Sequence, residues 1–509
     1  MRTSVLIVGI CSLILISSCA QKHIQTVKSS PENEAVCWRL ISMNAAEPQV
    51  IEQILDREVD DFQGRVEQLL VSTEESIDTL EHLKTLISQN APIPPAVLET
   101  INQRMKQDLA LVEPIAETLA QNICWRDATD HHLQTRSLPP LIQQTRFKGI
   151  LLELAASVTL YDMYLNVIAT VNEGERLRTF ANQGDSGYGI EKNRVAEITE
   201  RFVDLENLGA VRAMFLQYDA EQDAIAGFRK QDERIAYLDI LIRSSRAYRE
   251  LSSVTSTQLL AYQQSIQAHT VRDNLNEINT LVTGGLSKSF GNLVGRVEER
   301  KGILYGDAEL EAYLASILEP GDVLLEKTPF RLTDRLIPGF WGHAAIWVGT
   351  QAELKELEMW DHQRVRHYQH QIMNGQLVAE ALREGTVLNT LAHFMNIDDL
   401  VVLRRKNFSQ NDRRKALIRT FRQLGKPYDF NFNVETTDRI VCSQLVYMTY
   451  PDIAWPTEYI AGRYTISPDN IAAKSIEDDL FEIVTLVRDG VIISQDTTNV
   501  MAFLIGAEK

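Results

Sequence analysis

The stretch TTDRIVCSQLVYMTY, residues 436–450, places Cys442 between a polar turn and an apolar run. Thr437 and Asp438 can cap a helix that runs through this segment, which would put the cysteine in the first turn. At that position unpaired backbone amides and the positive end of the helix dipole favour the thiolate, the form that attacks carbonyl groups. The sequence therefore makes Cys442 a candidate nucleophile, with a buried and unreactive thiol as the alternative.

A thiolate nucleophile needs a base that takes and returns a proton, and the base needs an acceptor that orients it. His343 opens the segment GHAAIWVG, whose alternation is typical of a strand. Glu380 lies inside the apolar segment LVAEAL, one predicted strand away, where a carboxylate needs a partner. We therefore pair His343 with Glu380. Four further histidines of this half lie in polar stretches: His362, His367, His370 and His393.

Four segments of the C-terminal half, in this order, resemble a known family. PGDVLL, GHAAIWVG and LVAEAL are similar to the strands that carry the catalytic histidine and the third polar residue of bacterial NlpC-type cell-wall peptidases. GKPYDF resembles their G-x-P-Y element, and Cys442 follows its tyrosine, Tyr428, at the family's spacing. Here the cysteine block follows the histidine block. This order resembles the circularly permuted papain-like amidases of the YaeF and YiiX type, several of which are lipoproteins.

The resemblance implies a papain-like cysteine amidase or peptidase in which Cys442 is the nucleophile and His343 the general base and acid. Glu380 would orient the imidazole, and Tyr428 would line the oxyanion side. The cell-wall enzymes commonly have histidine or a neutral polar residue in the third position. A carboxylate there would stabilise an imidazolium more strongly and favour a resting thiolate–imidazolium pair. This mechanism needs no metal and no organic cofactor.

The resemblance implies hydrolysis of an amide or ester bond but leaves the substrate open. Peptidoglycan stem peptides fit the cell-wall enzymes. Lipid-linked amides or esters fit lecithin retinol acyltransferase, a more distant relative with the same motif order. Bulky apolar residues before His343 could wall an acyl pocket or belong to the core: Phe330, Leu336, Ile337, Phe340 and Trp341. The alternative from another class is a non-enzymatic lipoprotein scaffold whose helical half binds envelope partners.

The first 18 residues are typical of a signal peptide, with a charged start and an apolar run from residue 5 to 16 that is too short to span a membrane. The motif ISSC resembles the lipobox of bacterial lipoproteins, which implies that Cys19 is diacylated. Ala20 after it resembles the outer-membrane sorting pattern. We therefore expect a protein of the bacterial cell envelope, lipid-anchored to the outer membrane and facing the periplasm, with residues 19–47 as a tether.

Three cysteines remain once the N-terminal region is removed, and the periplasm is oxidising. Cys37 and Cys124 lie in similar settings, AVCWRLI and NICWRDA, and are the candidate disulfide. Two buried, unlinked thiols are the alternative. Either way Cys442 is left over, and an odd cysteine in an exported protein is a candidate reactive thiol.

The formal net charge is −18 at pH 7. Such a surface argues against nucleic-acid binding and against electrostatic attraction to anionic lipid, because both partners carry negative charge. Membrane attachment would therefore depend on the N-terminal acyl chains.

The chain divides into two regions with different periodicity. Residues 48–300 read almost entirely as helix, in a bundle or coiled-coil-like domain with one apolar stripe in its first helix: Leu55, Val59, Phe62, Val66 and Leu69. Residues 149–171 are long enough to suggest a membrane span, but Glu153 and Asp162 favour the central helix of a bundle. Residues 301–509 alternate short strands with helices. The predicted fold is α+β, with a helical domain before a permuted papain-like domain.

Overall fold

The structure is a computed structural model. It describes residues 38–43, 47–129, 143–172, 174–252, 300–329, 339–460, 463–477 and 480–507, together with residues 131, 134, 257, 258, 260, 261, 263 and 264. The predicted signal peptide, the predicted lipidation site Cys19 and the disulfide candidate Cys37 lie outside the described residues. Cys124 is disulfide-bonded, which agrees with the candidate disulfide, but its pairing with Cys37 stays a prediction because Cys37 is not among the described residues.

The described residues divide into two compact units. The first consists of those within Met1–Thr73, Leu109–Asn166 and Ile198–Gln263, and the second of those within Glu74–Asp108, Val167–Glu197 and Gln264–Lys509. The second unit thus combines the region of the four motifs with two segments from the first half of the chain. The domain boundary that we place at residue 300 stays a prediction.

Helices before residue 300 are α1 Pro48–Ser88, α2 Pro95–Asn122, α3 Cys124–Asp127, α4 Gln143–Met163, α5 Ala169–Asn172, α6 Glu175–Asn182, α7 Arg194–Val203, α8 Leu205–Ala220, α9 Gln222–Phe228, α10 Glu233–Ser244 and α11 Arg246–Leu251. A π-helical turn, Tyr164–Ile168, lies between α4 and α5. The predicted stripe of α1 is buried and packs in one core cluster with residues of α4, α8 and α10, as its periodicity requires.

Helix α4 lies at the centre of the first unit. The stretch Gln143–Asn172 is long and apolar enough to cross a membrane, but 67% of its most apolar window is buried within the protein. Oε1 of the buried Glu153 lies 2.9 Å from Nε of Arg126, and Nζ of the buried Lys148 lies 2.7 Å from Oδ2 of Asp232. Ionisable groups that are buried but paired with residues of neighbouring segments agree with a central bundle helix.

The second unit contains a sheet of seven antiparallel strands in the order β4-β3-β2-β1-β5-β8-β9. The strands, including a separate β6–β7 hairpin, are β1 Val323–Lys327, β2 His343–Trp347, β3 Gln376–Leu382, β4 Gly385–Thr390, β5 Asp399–Arg405, β6 Glu458–Ile460, β7 Arg463–Thr465, β8 Phe481–Arg488 and β9 Val491–Ile493. The central strands β1 and β5 are almost continuously buried. The predicted α+β class is therefore confirmed.

Helices of this region are α12 Ala308–Ile317, α13 Gln351–Glu356, α14 Gln363–Arg366, α15 Gln369–Met373, α16 Leu391–Phe394, α17 Gln410–Gln423, α18 Cys442–Thr449, α19 Pro468–Ala473 and α20 Thr497–Leu504. Side chains of α12 and α16 share a core cluster with Leu324, Ala345 and Val402 of the sheet. Helix α18, which begins at the candidate nucleophile, packs against β2 and β3.

Gly149 in α4 lies where the core of the first unit leaves no space for a larger side chain. A Cβ at this position would lie 2.4 Å from Cδ2 of Trp125, whose ring is fully buried and donates from Nε1 to Asn122. Alanine gains about 1 kcal/mol over glycine as a helix former, whereas overpacking costs about 1–3 kcal/mol. We expect Gly149→Ala to lower the free energy of unfolding, measured by urea titration with far-UV circular dichroism.

Gly64, in α1, is the matched control, because no atom lies within 4 Å of the Cβ it would gain. Gly64→Ala should raise the free energy of unfolding by about 0.5–1 kcal/mol. Equal stabilisation by both substitutions would show that Trp125 does not pack against α4 in solution.

Candidate active site

Cys442 is the first residue of α18, and Val441 before it is the N-cap. The predicted capping by Thr437 and Asp438 is wrong. The backbone N–H and hydroxyl of Thr437 are bound to Gln183, and Asp438 pairs with Arg439 at 3.0 Å. The helix therefore begins later than predicted, but the cysteine still lies in its first turn, where backbone amides have no partner within the helix.

His343 and Glu380 lie on adjacent antiparallel strands. Ala345 of β2 pairs directly with Glu380 of β3, and His343 is two residues earlier on the same face of β2. This register brings Nε2 of His343 within 3.1 Å of Oε2 of Glu380. The other oxygen of Glu380 accepts a hydrogen bond from Nδ2 of Asn389 at 2.7 Å and lies 3.5 Å from Nδ1 of His393.

The thiol of Cys442 and the imidazole of His343 are hydrogen-bonded to each other. Since Nε2 of His343 faces Glu380, Nδ1 is the nitrogen left for the sulfur. Cys442 and Glu380 are each 3% exposed, and the side chain of His343 is 14% exposed. The structure thus brings three predicted site residues into one chain of contacts, with a free thiol at its end.

Cys442 and His343 each shift the pKa of the other in the direction that favours its charged form. Burial alone would raise the pKa of Cys442, but the His343 imidazolium and the backbone N–H groups of Ala344 and Ser443 lower it below its ordinary value. Burial alone would lower the pKa of His343, yet the Cys442 thiolate and Glu380 raise it well above its ordinary value. The resting state that these shifts favour is a thiolate–imidazolium pair.

Burial also works against the charge of Glu380, but hydrogen bonds from His343 and His393 lower its pKa to about 2. An unfolded glutamate titrates near pKa 4.3, so this carboxylate stabilises the folded chain above about pH 4. That stability is lost as the pH falls towards the folded pKa.

Tyr428, the fourth predicted site residue, lies close enough to Cys442 for the negative charge of the thiolate to act on its phenol. Burial, followed by the negative charge of Cys442, raises the pKa of Tyr428 well above its ordinary value. The phenol therefore stays protonated and can donate a hydrogen bond. Its ring contacts Phe430 and Phe432, with centroids 5.1 and 6.2 Å away.

Asn389 and His393 are site residues that our sequence analysis missed. Asn389 lies on β4, on the strand beyond Glu380, and His393 lies in α16 directly after it. The side chain of His393 is 58% exposed and belongs to a polar stretch, so the sequence around it gave no reason to select this histidine. The pairing of β3 with β4 was the missing information, because only that pairing places both groups at the carboxylate.

The loop before β2 is held by Asp469 of α19, whose two oxygens each accept a backbone N–H, from Phe340 and Trp341, at 2.8 Å. Trp341 is fully buried and donates from Nε1 to Sδ of Met501, so it belongs to the core. Of the other bulky residues proposed for an acyl pocket, Phe340 packs edge-on against Trp341 with ring centroids 5.0 Å apart, and residues 330, 336 and 337 lie outside the described part of the chain.

Residues 317–501 match the model of a family described as permuted papain-like amidase enzyme, YaeF/YiiX, C92 family. The match includes all four predicted site residues of the domain: His343, Glu380, Tyr428 and Cys442. Neither the comparison with curated proteins nor the one with solved structures found a match. The resemblance deduced from the motifs is confirmed. The matched region is a domain of this amidase family, which supports a papain-like cysteine amidase or peptidase, a hydrolase that acts on amides.

The pH dependence of thiol reactivity tests the ion pair between Cys442 and His343. We expect iodoacetamide to label Cys442 rapidly well below the ordinary thiol pKa of about 8.5. In His343→Ala the cation is gone and burial raises the pKa of the thiol. Labelling near pH 6 should then fall by about a hundredfold, as expected for a thiol that is almost fully protonated. Quantitative mass spectrometry of the Cys442 peptide measures both rates.

His367→Ala is the control, because His367 is an exposed histidine of the same unit that has no contact with Glu380 or Cys442 among those described. Equal labelling of all three proteins at every pH would show that Cys442 is an ordinary buried thiol.

Proposed function

We propose that the domain hydrolyses amide bonds through an acyl-enzyme on Cys442, with His343 as general base and acid and Glu380 as the group that orients the imidazole. One observation carries this proposal. The free thiol of Cys442 is hydrogen-bonded to His343, which lies 3.1 Å from a buried carboxylate. No structural requirement explains why a thiol at the start of a helix, a histidine and a buried carboxylate on two adjacent strands depend on one another for their charge, whereas thiol catalysis needs all three.

The proposed reaction follows from the position of each group. The thiolate attacks the carbonyl carbon, and the oxyanion accepts hydrogen bonds from the backbone N–H of Cys442 and from the Tyr428 hydroxyl. The imidazolium of His343 gives its proton to the leaving amine as the carbon–nitrogen bond breaks. Neutral His343 then takes a proton from water, which attacks the thioester, and the protonated imidazole is re-formed as the thiol leaves as thiolate.

The substrate is proposed as one of two classes. A peptidoglycan stem peptide agrees with the resemblance to cell-wall peptidases, and a lipid-linked amide or ester agrees with a membrane-tethered enzyme. Burial of Trp341 removes one of the residues that could have walled an acyl pocket. Tyr428, which interacts with the nucleophile, is in ring contact with Phe430 and Phe432, and this aromatic group could contact either a peptide or an acyl chain.

Amide hydrolysis is tested with a peptidoglycan stem peptide and an N-acyl lipid amide, offered separately to the full mature protein. Intact-protein mass spectrometry should detect a thioester adduct on Cys442, and amine release gives kcat and KM. Cys442→Ala should abolish both signals. Tyr428→Phe should lower kcat by about a hundredfold with little change in KM, as expected when one oxyanion donor is lost.

The pattern of turnover with the two substrates distinguishes between the proposals. Turnover of only one identifies the substrate class. Turnover that survives in Cys442→Ala would exclude thiol catalysis. No adduct and no turnover with either class, together with an unreactive thiol, would favour the scaffold function of the helical half.

We further propose that the mature chain is a lipoprotein held at the outer membrane by Cys19 and facing the periplasm. Support comes from the charged start, the short apolar run and the ISSC motif of the first 19 residues. Metabolic labelling with a fatty acid should mark the wild-type protein and not Cys19→Ala. Labelling that persists in the variant would contradict lipidation at this residue.

A further inference from the structure

The chain reaches Cys442 through residues 426–441, which we call the nucleophile loop. The loop pairs with itself near its two ends. The backbone N–H of Ile440 donates to the carbonyl of Pro427 at 3.0 Å, and Tyr428 and Ile440 form a parallel bridge. This pairing ties the tyrosine to a position two residues before the nucleophile. A contact that fixes the start of the loop therefore also fixes the position of Cys442 relative to Tyr428.

A buried ion pair fixes the start of the loop. Nζ of Lys426 lies 2.8 Å from Oδ1 of Asp185, and the two side chains are 1% and 0% exposed. The carbonyl of Lys426 also accepts the backbone N–H of Thr386 in β4 at 2.9 Å. A buried ammonium is tolerated only when it is paired and hydrogen-bonded, so the position of Lys426 depends on Asp185.

Asp185 is itself held in place by the residues around it, which we call the Asp185 loop, residues 183–190. The backbone N–H of Gly187 donates to Oδ1 of Asp185 at 2.8 Å, and Nδ2 of Asn102 donates to Oδ2 at 3.0 Å. The backbones of Asp185 and Ile190 exchange two hydrogen bonds. With both carboxylate oxygens and its backbone engaged, Asp185 is a fixed anchor.

The Asp185 loop also holds the other end of the nucleophile loop. The backbone N–H of Thr437 donates to Oε1 of Gln183 at 3.0 Å, and its hydroxyl donates to the carbonyl of Gly184 at 3.0 Å. Gly184 has a φ of +74°, and a Cβ there would lie 2.7 Å from the backbone nitrogen of Lys192. The loop therefore makes these contacts in a conformation that favours glycine.

We propose that Asp185 is a positioning residue for the reaction: through Lys426, and with the Asp185 loop at Thr437, it holds the nucleophile loop so that Cys442 meets His343. This proposal rests on the proposed function of that site. Asp185 precedes the region matched by the amidase family by more than a hundred residues. A segment from the first half of the chain thus forms part of the support of the active site.

The test compares Asp185→Asn with the wild-type protein, both as the full mature chain. Asparagine keeps the shape and, with its oxygen in the place of Oδ1, the hydrogen bond from Gly187, but it loses the acceptor for Asn102 and leaves the ammonium of Lys426 without its counter-charge. Iodoacetamide labelling of Cys442 near pH 6 should fall about tenfold or more, since a small misplacement of reacting groups is costly. The pH at which labelling is half-maximal should rise, because the thiolate loses contact with the imidazolium.

Asp398→Asn is the matched control. Asp398 is a buried carboxylate of the same unit that pairs with Arg300 and accepts the backbone N–H of Ile303 at 2.9 Å, and it has no contact with the nucleophile loop among those described. Thermal unfolding of both variants measures how much stability each has lost. We expect Asp398→Asn to keep the wild-type labelling rate and pH midpoint even where its loss of stability equals that of Asp185→Asn.

Thr437→Val serves if Asp185→Asn does not fold, because valine keeps the shape of threonine and removes only the hydroxyl bonds to the Asp185 loop. It should slow labelling severalfold and shift the pH midpoint in the same direction. Wild-type labelling in whichever of the two variants folds would overturn the positioning role while leaving the proposed function intact. A wild-type thiol that reacts as an ordinary cysteine would refute the proposed function and the positioning role with it.

Discussion

The charge of Glu380 is the constraint on which the site depends. A carboxylate that is 3% exposed within a sheet costs several kcal/mol unless other groups replace the water it has lost. His343, Asn389 and His393 supply that replacement, and the first of these is thereby fixed in orientation. The imidazole then stabilises the thiolate of Cys442. Each buried charge is tolerated because of its neighbour, so the three groups form one electrostatic unit.

The order of these groups in the chain matters little to this unit, because only their geometry enters the chemistry. Two neighbouring strands supply the histidine and the carboxylate, and a helix that packs against the same strands supplies the cysteine. A circular permutation changes which of these elements comes first and leaves their contacts unchanged. The papain-like arrangement therefore persists here although the histidine precedes the cysteine along the chain.

Much of this site could be predicted from sequence, and the parts that could not share a physical reason. Strand alternation and the motif spacing identified His343, Glu380 and Cys442, because those signals are local. Asn389 depends on which strand pairs with β3, and Asp185 depends on a contact between segments 241 positions apart along the chain. No periodicity or spacing encodes such pairings. The prediction that Thr437 and Asp438 cap α18 was wrong for the same reason, since Thr437 is bound to a loop that is distant along the chain.

The net charge of the buried site also bears on why a thiolate–imidazolium pair would suit the proposed hydrolysis. In the resting state the carboxylate, imidazolium and thiolate carry one net negative charge. In the proposed tetrahedral intermediate the oxyanion would replace the thiolate, and in the proposed acyl-enzyme a neutral imidazole would remain beside the carboxylate, so the total net charge would be unchanged. The surroundings of Glu380 and Cys442 therefore never have to solvate a new net charge. In the proposed mechanism these surroundings need only favour the movement of negative charge towards the backbone amide and Tyr428, which a rigid, preorganised site can do without rearranging during the reaction.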